Sequence, residues 1–253
     1  MTVLELSRIL NQKFPTALSC EWDNDGLMCC PDGAREVRRV LLTLDVTEAA
    51  VKKAKAEGFD LILSHHPLIF KGLKAVNGED HISKKTIDLI RHGISVMSFH
   101  TRLDAAEGGV NDVLAAILGL CDVTPFGEEA IGRIGSLPEE MSAEDFARKV
   151  KEALHAPVVQ LADAGKPVRR VAVLGGNGSD DVEAARAAGA DTYVSGELKY
   201  HQLTDAPEEG MNLIEAGHFH TEFPVCQALL SLLGEINPTL ECEIYENYKI
   251  KTI

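Results

Sequence analysis

An internal repeat constrains the fold of this chain more than any other feature of its sequence. A segment that reads strand, helix, strand recurs 131 positions later with the same landmark residues in the same order. The landmarks are Arg38, Arg39, Val40, Gly58, Asp60 and Ser64 in the first copy, and Arg169, Arg170, Val171, Gly189, Asp191 and Ser195 in the second. Two related halves are therefore predicted, although strand–helix–strand units share generic patterns and chance similarity is the alternative.

Hydrophobic periodicity and helix-end signals predict alternating strands and helices along the chain. Helices begin at capping residues such as Thr2, Thr47 and Ser142, and end at glycines such as Gly58 and Gly93. Strands are expected at 39–46, 60–64 and 94–99, and helices at 47–58, 83–91, 110–118 and 142–155, with a less regular stretch near 121–140. Such alternation favours parallel strands.

The predicted fold class is therefore α/β, with two related α/β halves that contain largely parallel sheets about a pseudo-twofold axis. The halves are expected at residues 1–125 and 126–253, packed as one compact unit. The first half would carry His65, His66 and Asp104, and the second His218 and Glu222.

Composition narrows the functional classes. The 253 residues carry a formal net charge of −14 without a basic run, which argues against general nucleic-acid binding and against affinity for anionic membranes. The six cysteines have no C-x-x-C spacing and are predicted to be reduced thiols. The sequence has neither a signal-peptide pattern nor an apolar run of about 18 residues, so a cytoplasmic protein is expected.

Metal-ligand residue types follow three of the predicted strands. His65 and His66 come after one strand, Asp104 lies shortly after a second, and His218 and Glu222 follow a third. Ligands of open α/β sheets bind beyond the carboxyl ends of the strands. Imidazole and carboxylate suit Zn, Fe, Mn and Co alike, and five such ligands suit two ions better than one catalytic zinc. The interpretation is a dinuclear centre that activates water for hydrolysis.

Several motifs resemble one known family in the same order along nearly the whole chain. They are W-D-N-x-G-L at 22–27, T-L-D at 43–45, S-H-H-P-L-I-F at 64–70, H-T-R-L-D-A-A-x-G-G-V-N-D at 100–112, G-G-N-G-S at 175–179, S-G-E at 195–197 and G-H-F-H-T-E at 217–222. The chain resembles the Nif-three-like dinuclear-metal family, whose members are also described as GTP cyclohydrolase I type 2 homologues, and within it the short YbgI-type members.

The resemblance implies a ligand set, an activity and an assembly. The implied metal ligands are His65, His66, Asp104, His218 and Glu222. A metal-dependent, cyclohydrolase-like hydrolase acting on a nucleotide-like or phosphate-bearing small molecule is implied, in the form of a homohexamer. The alternative is a non-enzymatic metal-binding scaffold, a metal-storage protein or a regulatory protein with the same ligands.

Other residues near the strand ends are candidates for supporting roles. The catalytic candidates are Glu197, His100 and Asp45, each of which either acts in proton transfer or orients a ligand. His220 has the same two interpretations. Arg102 stands where the family more often has a small polar residue, and it either adds positive charge at the site mouth or pairs with an acid at the surface.

Two loops have competing interpretations. The loop at 175–179 either holds a phosphate on its backbone amides or is a tight turn with Ser179 as a helix cap. Trp22, the only tryptophan, lies in a polar segment and either forms a site wall or subunit contact, or packs locally.

Overall fold

The computed structural model describes residues 1–253 as a mixed α/β protein with two sheets. The helices are α1 (Val3–Lys13), α2 (Glu48–Glu57), α3 (His81–His92), α4 (Thr101–Ala105), α5 (Val110–Ile117), α6 (Ala143–Ala153), α7 (Val182–Ala187), α8 (Tyr200–Glu208), α9 (His218–Glu222) and α10 (Val225–Ile236). The strands are β1 (Gly26–Cys29), β2 (Arg39–Thr43), β3 (Leu61–Ser64), β4 (Ser95–Ser98), β5 (Cys121–Phe126), β6 (Gly132–Met141), β7 (Gln160–Ala162), β8 (Val168–Asn177), β9 (Thr192–Glu197), β10 (Asn212–Glu215) and β11 (Glu241–Ile244).

The chain divides into two compact units whose boundaries differ from the expected division at residue 125. The first unit is residues 1–103 with 226–249, and the second is residues 104–225 with 250–253. The C-terminal segment belongs to the first unit because β11 pairs with β2. Helix α5 belongs to the second because Leu114 and Leu118 pack in one core cluster with Val171 and Val173 of β8. Asp104 consequently lies in the second unit rather than in the first half.

The sheet of the first unit is mostly parallel. Its strand order is β1-β4-β3-β2-β11, and only β1 runs antiparallel to its neighbour. Strands β3 and β4 are buried along their whole length. Residues Leu41, Ile62 and Val96 of three neighbouring strands share one core cluster with Val51 of α2 and Leu89 of α3. Continuous burial explains why these strands have apolar runs rather than alternation.

The sheet of the second unit is mixed. Its strand order is β5-β6-β8-β9-β10-β7, in which β8, β9 and β10 are parallel and the remaining pairs are antiparallel. Strands β5 and β6 occupy the stretch near 121–140 that was expected to be irregular. The apolar pattern of β5 is weak because all its residues except Phe126 are exposed. The expectation of largely parallel strands therefore holds only for the centre of this sheet.

The sequence repeat corresponds to a repeated hydrogen-bond arrangement. The carboxylate of Asp60 accepts from two successive backbone N–H groups at the start of β2, at 2.9 and 3.1 Å. The carboxylate of Asp191 accepts from the two equivalent N–H groups at the start of β8, at 3.0 and 2.7 Å. Each aspartate thus satisfies backbone donors at the beginning of its parallel strand.

Local end signals predicted the helix boundaries well. Thr2 forms the expected capping box with Glu5, and Thr47 and Ser142 cap α2 and α6. Gly58 and Gly93 end α2 and α3 in the left-handed conformation, with φ of 71° and 67°. None of the ten helices is long and apolar enough to cross a bilayer.

Candidate metal centre

Hydrogen-bond contacts at Nδ1 orient both rings of the histidine pair after β3. His65 is fully buried, and its Nδ1 lies 2.9 Å from the backbone carbonyl oxygen of Phe99 at the end of β4. The backbone N–H of His66 donates to the carbonyl of Leu44 at 2.9 Å, and its Nδ1 lies 2.8 Å from Oδ1 of Asp45. Adjacent parallel strands therefore provide both the rings and the acceptors that orient them.

His100 joins this pair at the next strand end. Its Nδ1 lies 2.9 Å from Oδ1 of Asp23, and its ring centroid is 5.2 Å from that of His65 and 5.7 Å from that of His66. The three histidines each offer a ligand atom within 4.8 Å of the others. The first unit thus brings together two predicted ligands and one predicted catalytic candidate.

The second unit brings His218 and Glu222 together on α9, one helical turn apart. Nε2 of His218 lies 3.0 Å from Oε2 of Glu222, and Nδ1 of His218 lies 2.8 Å from Oε1 of Glu197 at the end of β9. The Glu222 residue is only 4% exposed. A buried carboxylate facing an imidazole nitrogen at this distance is a typical pair of metal donors.

Asp104 lies on the short helix α4, four residues after His100. Its residue is 9% exposed, and its backbone carbonyl accepts from the Asn111 side-chain amide at 3.3 Å. The amide oxygen of Asn111 accepts in turn from the backbone N–H of Gly175 at 2.8 Å. Asp104 is therefore tied, through its backbone, to the glycine-rich loop of the second unit.

That glycine-rich loop supports the ligands of α9 rather than presenting its amides to a phosphate. The backbone N–H groups of Gly175, Gly176 and Gly178 donate to side chains of Asn111, Thr221 and Ser195. The N–H of Ser179 donates to the side chain of Asn177. The phosphate-binding interpretation is therefore wrong, because these amide donors are already satisfied inside the protein.

The glycines of this loop are required by close packing. A Cβ at Gly176, whose φ is +66°, would collide with the Glu222 carboxylate and lie 3.2 Å from Nε2 of His218. A Cβ at Gly196 would lie 2.8 Å from the Cα of His218. These two glycines, near the carboxyl ends of β8 and β9, therefore let α9 approach both strands closely.

The donor set fits a divalent transition metal. His65, His66, His100 and His218 all direct Nδ1 at a carbonyl or carboxylate oxygen. Since these oxygens only accept, Nδ1 carries the proton, and a neutral ring of His65, His66 or His100 then has its lone pair on Nε2. His218 differs, because its Nε2 also faces an acceptor, Oε2 of Glu222, at 3.0 Å. Histidines that bind metals through Nε2 are oriented in this way by an acceptor at Nδ1.

The catalytic candidates occupy orienting positions. Asp45 and Glu197 contact the rings of His66 and His218, which corresponds to the orienting alternative for both carboxylates. His100 is itself oriented by Asp23. His220 lies on α9 with its ring 5.6 Å from that of Phe219.

Arg102 is neither at a site mouth nor at the surface. It is 2% exposed, and Nε lies 2.8 Å from Oδ2 of Asp25, while Nη1 donates to Oδ1 of Asn11 and to the carbonyl of Phe14 at 2.8 and 3.1 Å. Both expectations for Arg102 are therefore wrong about its location. The guanidinium is a buried anchor that ties α4 to the segment at 22–26.

Sequence reasoning missed Asp23 as an orienting residue. Burial raises the pKa of the Asp23 carboxyl, but hydrogen bonds from His100 and Thr101 lower it to about 2. The same carboxylate accepts from the backbone N–H and hydroxyl of Thr101 at 3.0 and 2.6 Å. The signal was the W-D-N-D-G segment, which predicted a turn but not its long-range contact with the end of β4.

The fold and the site define the class of this protein. It is a two-sheet α/β protein with candidate metal-binding histidines and carboxylates at its strand ends. The model of the Duf34/NIF3 (NGG1p interacting factor 3) family matches residues 1–250. The chain belongs to this family, so the predicted family resemblance is confirmed.

Relatives match along nearly the whole chain. A GTP cyclohydrolase 1 type 2 homolog from Clostridium perfringens (strain 13 / Type A) is 33% identical, over 96% of this chain and 94% of the relative. One from Nostoc sp. (strain PCC 7120) is 36% identical, over 86% and 84%. Among solved structures, a hypothetical protein from Staphylococcus aureus has a TM-score of 0.90 at 28% identity, covering 100% and 99% of the two chains. Reduced HcgD from Methanocaldococcus jannaschii has a TM-score of 0.84 at 29% identity, covering 98% of each chain.

Proposed function

We propose that this protein binds two divalent metal ions through five ligands and uses them in hydrolysis of a nucleotide-like small molecule. The ligands are His65, His66, Asp104, His218 and Glu222. One observation carries the proposal: in each of the three histidines, Nδ1 lies within hydrogen-bond distance of an oxygen acceptor. Three imidazoles and two carboxylates match the number of donors that a dinuclear centre needs.

The chain's own residues would prepare the centre in three ways. Divalent ions bound there would supply Lewis-acid polarisation of a substrate oxygen and would lower the pKa of water. Asp45 contacts Nδ1 of His66 and Glu197 contacts Nδ1 of His218, so Nε2 of each ring is the nitrogen that would bind an ion. His100, with its Nδ1 on Asp23, is the group proposed to pass a proton to or from the substrate at Nε2.

The substrate class is supported by the relatives rather than by the donor set. Relatives 33% and 36% identical to this chain are described as GTP cyclohydrolase 1 type 2 homologs. Histidine and carboxylate ligands alone do not distinguish a purine ring, an amide and a phosphoester as the bond to be hydrolysed.

Metal analysis and turnover test this proposal together. Purified protein reconstituted with Zn, Mn, Fe or Co is expected to retain two ions per chain, and Asp104→Ala to retain fewer. GTP and a panel of amides and phosphoesters are then assayed, with Asp104→Ala as the inactive variant and Asp163→Ala, an exposed loop residue, as the control. A content well below two ions per chain contradicts the dinuclear centre, and no turnover of any panel member contradicts the hydrolase.

A non-enzymatic metal-binding role is the second candidate, and one observation favours it. The side chains of three proposed ligands are deeply buried, with His65 at 0%, Glu222 at 4% and Asp104 at 9% exposure. A structural or storage centre is closed by protein ligands, whereas a catalytic one keeps an open coordination position. Addition of azide to the cobalt-reconstituted protein separates the two: a changed visible spectrum indicates an open position, and an unchanged one indicates a closed centre.

A further inference from the structure

We propose that Trp22 and Phe70 form a stacking platform for the planar ring of a purine-like heterocycle, next to His100. This inference rests on the proposed function for the class of ligand, since it assigns the part of the protein that holds the base of a nucleotide. We call Trp22 and Phe70 the aromatic platform.

Both platform residues are exposed large apolar side chains. Trp22 is 61% exposed and Phe70 is 44% exposed. Their ring centroids are 6.1 Å apart at an interplanar angle of 68°. The His100 ring contacts both, at 6.2 Å from Trp22 and 6.1 Å from Phe70. Exposed aromatic surface thus lies directly beside a histidine of the candidate metal centre.

The indole is exposed but its backbone is firmly anchored. Asp23, the next residue, is bonded to His100 and Thr101, and Asp25 forms a buried ion pair with Arg102. A flexible surface loop needs no such buried anchors. An aromatic side chain on an anchored backbone segment loses less conformational entropy when a ligand binds than one on a flexible loop. This is the property of a preorganised binding residue.

A hydrogen bond also connects the two segments that carry the platform. The side-chain amide of Asn24 donates to the backbone carbonyl of Ile69, the residue that precedes Phe70. This hydrogen bond therefore joins the segment that carries Phe70 to the segment that carries Trp22. This link fixes the spacing between Trp22 and Phe70, which lie 48 positions apart in sequence.

A planar nitrogen heterocycle fits this surface better than a charged group. The two aspartates that follow Trp22 in this segment, Asp23 and Asp25, are already bound to His100, Thr101 and Arg102, so their carboxylates are engaged within the protein. Every nucleobase has a π face, and stacking on tryptophan or phenylalanine tolerates differences among bases. Because the two rings are inclined at 68°, a planar base would stack on the face of Trp22 with its edge against Phe70. The rest of the molecule would reach the candidate metal centre.

Tryptophan fluorescence provides a direct test, because Trp22 is the only tryptophan. The metal-loaded full-length protein is titrated with guanosine monophosphate and, separately, with ribose 5-phosphate. We expect saturable quenching by guanosine monophosphate and none by ribose 5-phosphate. Calorimetry should show guanosine monophosphate binding about tenfold more weakly to Trp22→Leu and severalfold more weakly to Phe70→Leu, with metal content unchanged in both.

Tyr200→Leu is the matched control, since Tyr200 is an aromatic residue with 83% exposure in the second unit. It should leave the affinity unchanged. Equal quenching by both titrants, or an affinity that Trp22→Leu does not alter, overturns the platform. A blue shift of the Trp22 emission that grows with protein concentration also overturns it, because a second copy of the chain then covers the indole. Base-specific quenching in a protein that shows no turnover supports the platform while the hydrolase proposal fails.

Discussion

Residues that contact the candidate ligand histidines at Nδ1 determine the orientation and tautomer of their rings. Each histidine of the candidate centre depends on one oxygen acceptor for its tautomer, and for His66 that acceptor is Asp45. An acceptor of this kind fixes ring orientation and raises ligand basicity. Removing its charge should therefore weaken metal binding without removing a ligand.

We expect Asp45→Asn to lower metal affinity by about tenfold, because outer carboxylates of this type typically contribute about 10- to 100-fold. Competition with a chromogenic chelator measures the change. The control is Asp88→Asn, which alters a carboxylate beside the His92 ring outside the centre and should leave affinity unchanged. Equal affinities for the wild type and Asp45→Asn would show that Asp45 does not support a ligand.

Asp23 should make the first unit sensitive to acid. Burial raises the pKa of Asp23, yet hydrogen bonds from His100 and Thr101 lower it from 3.8 to about 2. A carboxyl whose pKa is lowered on folding stabilises the protein above its unfolded pKa, and this contribution disappears as the pH falls from about 4 towards 2.

We therefore expect Asp23→Asn to lower the free energy of unfolding of the metal-free protein by roughly 1–2 kcal/mol at pH 7, after allowance for solvent screening. The difference from wild type should shrink at pH 3. Urea denaturation at the two pH values measures it. A difference that stays constant between pH 7 and pH 3 would show that the Asp23 charge does not stabilise the fold.

Some contacts within the candidate centre could be predicted from the sequence and others could not. The proximity of His65, His66 and His100 could be predicted because they follow neighbouring parallel strands. The contact between Asp23 and His100 spans 77 positions and depends on β1 joining the sheet as an antiparallel edge strand. Neither periodicity nor a helix signal in one sequence predicts such a pairing.

Among the secondary-structure elements, a glycine near the carboxyl end of β8 allows α9 to come close. Gly176 has a φ of +66° and faces Glu222 and His218. Gly176→Ala should therefore impose backbone strain of about 1–2 kcal/mol and also push both side chains away. We expect metal affinity to fall at least tenfold, as measured by chelator competition.

Gly165→Ala separates backbone strain from collision. Gly165 has nearly the same φ, +68°, but a Cβ there would meet nothing within 4 Å. This variant should lose a similar amount of stability in urea denaturation and keep its metal affinity. If both variants lose affinity equally, the close approach of Gly176 to α9 is not what supports the ligands.

Elements with strong local signals were predicted well and the others were missed. Helices α2 and α3 have a capping residue at one end and a left-handed glycine at the other; α2 was predicted nearly to the residue and α3 to within two residues. Strand β5 is almost entirely exposed, and β11 is only partly buried, so neither has an apolar run. Their positions depend on pairing with distant strands, which local patterns do not encode.

For the whole molecule, the family resemblance predicts an assembly of several chains. We propose a homohexamer, for which six chains of 27.4 kDa give a mass of about 164 kDa. Sedimentation equilibrium of the metal-loaded protein measures this mass. A species of 27.4 kDa at micromolar concentration would contradict the proposal.

The division of the chain into units was predicted only in part. The repeat indicated two related halves, and the paired roles of Asp60 and Asp191 agree with it. The boundary near residue 125 assumed that each half is one continuous segment. The parallel pairing of β11 with β2 makes the first unit discontinuous, because its last strand is synthesised after the whole second sheet.

This pairing affects the order in which the nascent chain can fold on the ribosome. Every strand of the six-stranded sheet has been translated once residue 215 is added, whereas the edge of β2 has no neighbour on one side until residues 241–244 emerge from the exit tunnel. The second sheet can therefore be complete while the first, whose other four strands are translated earlier, still exposes a strand edge that could pair with another nascent chain.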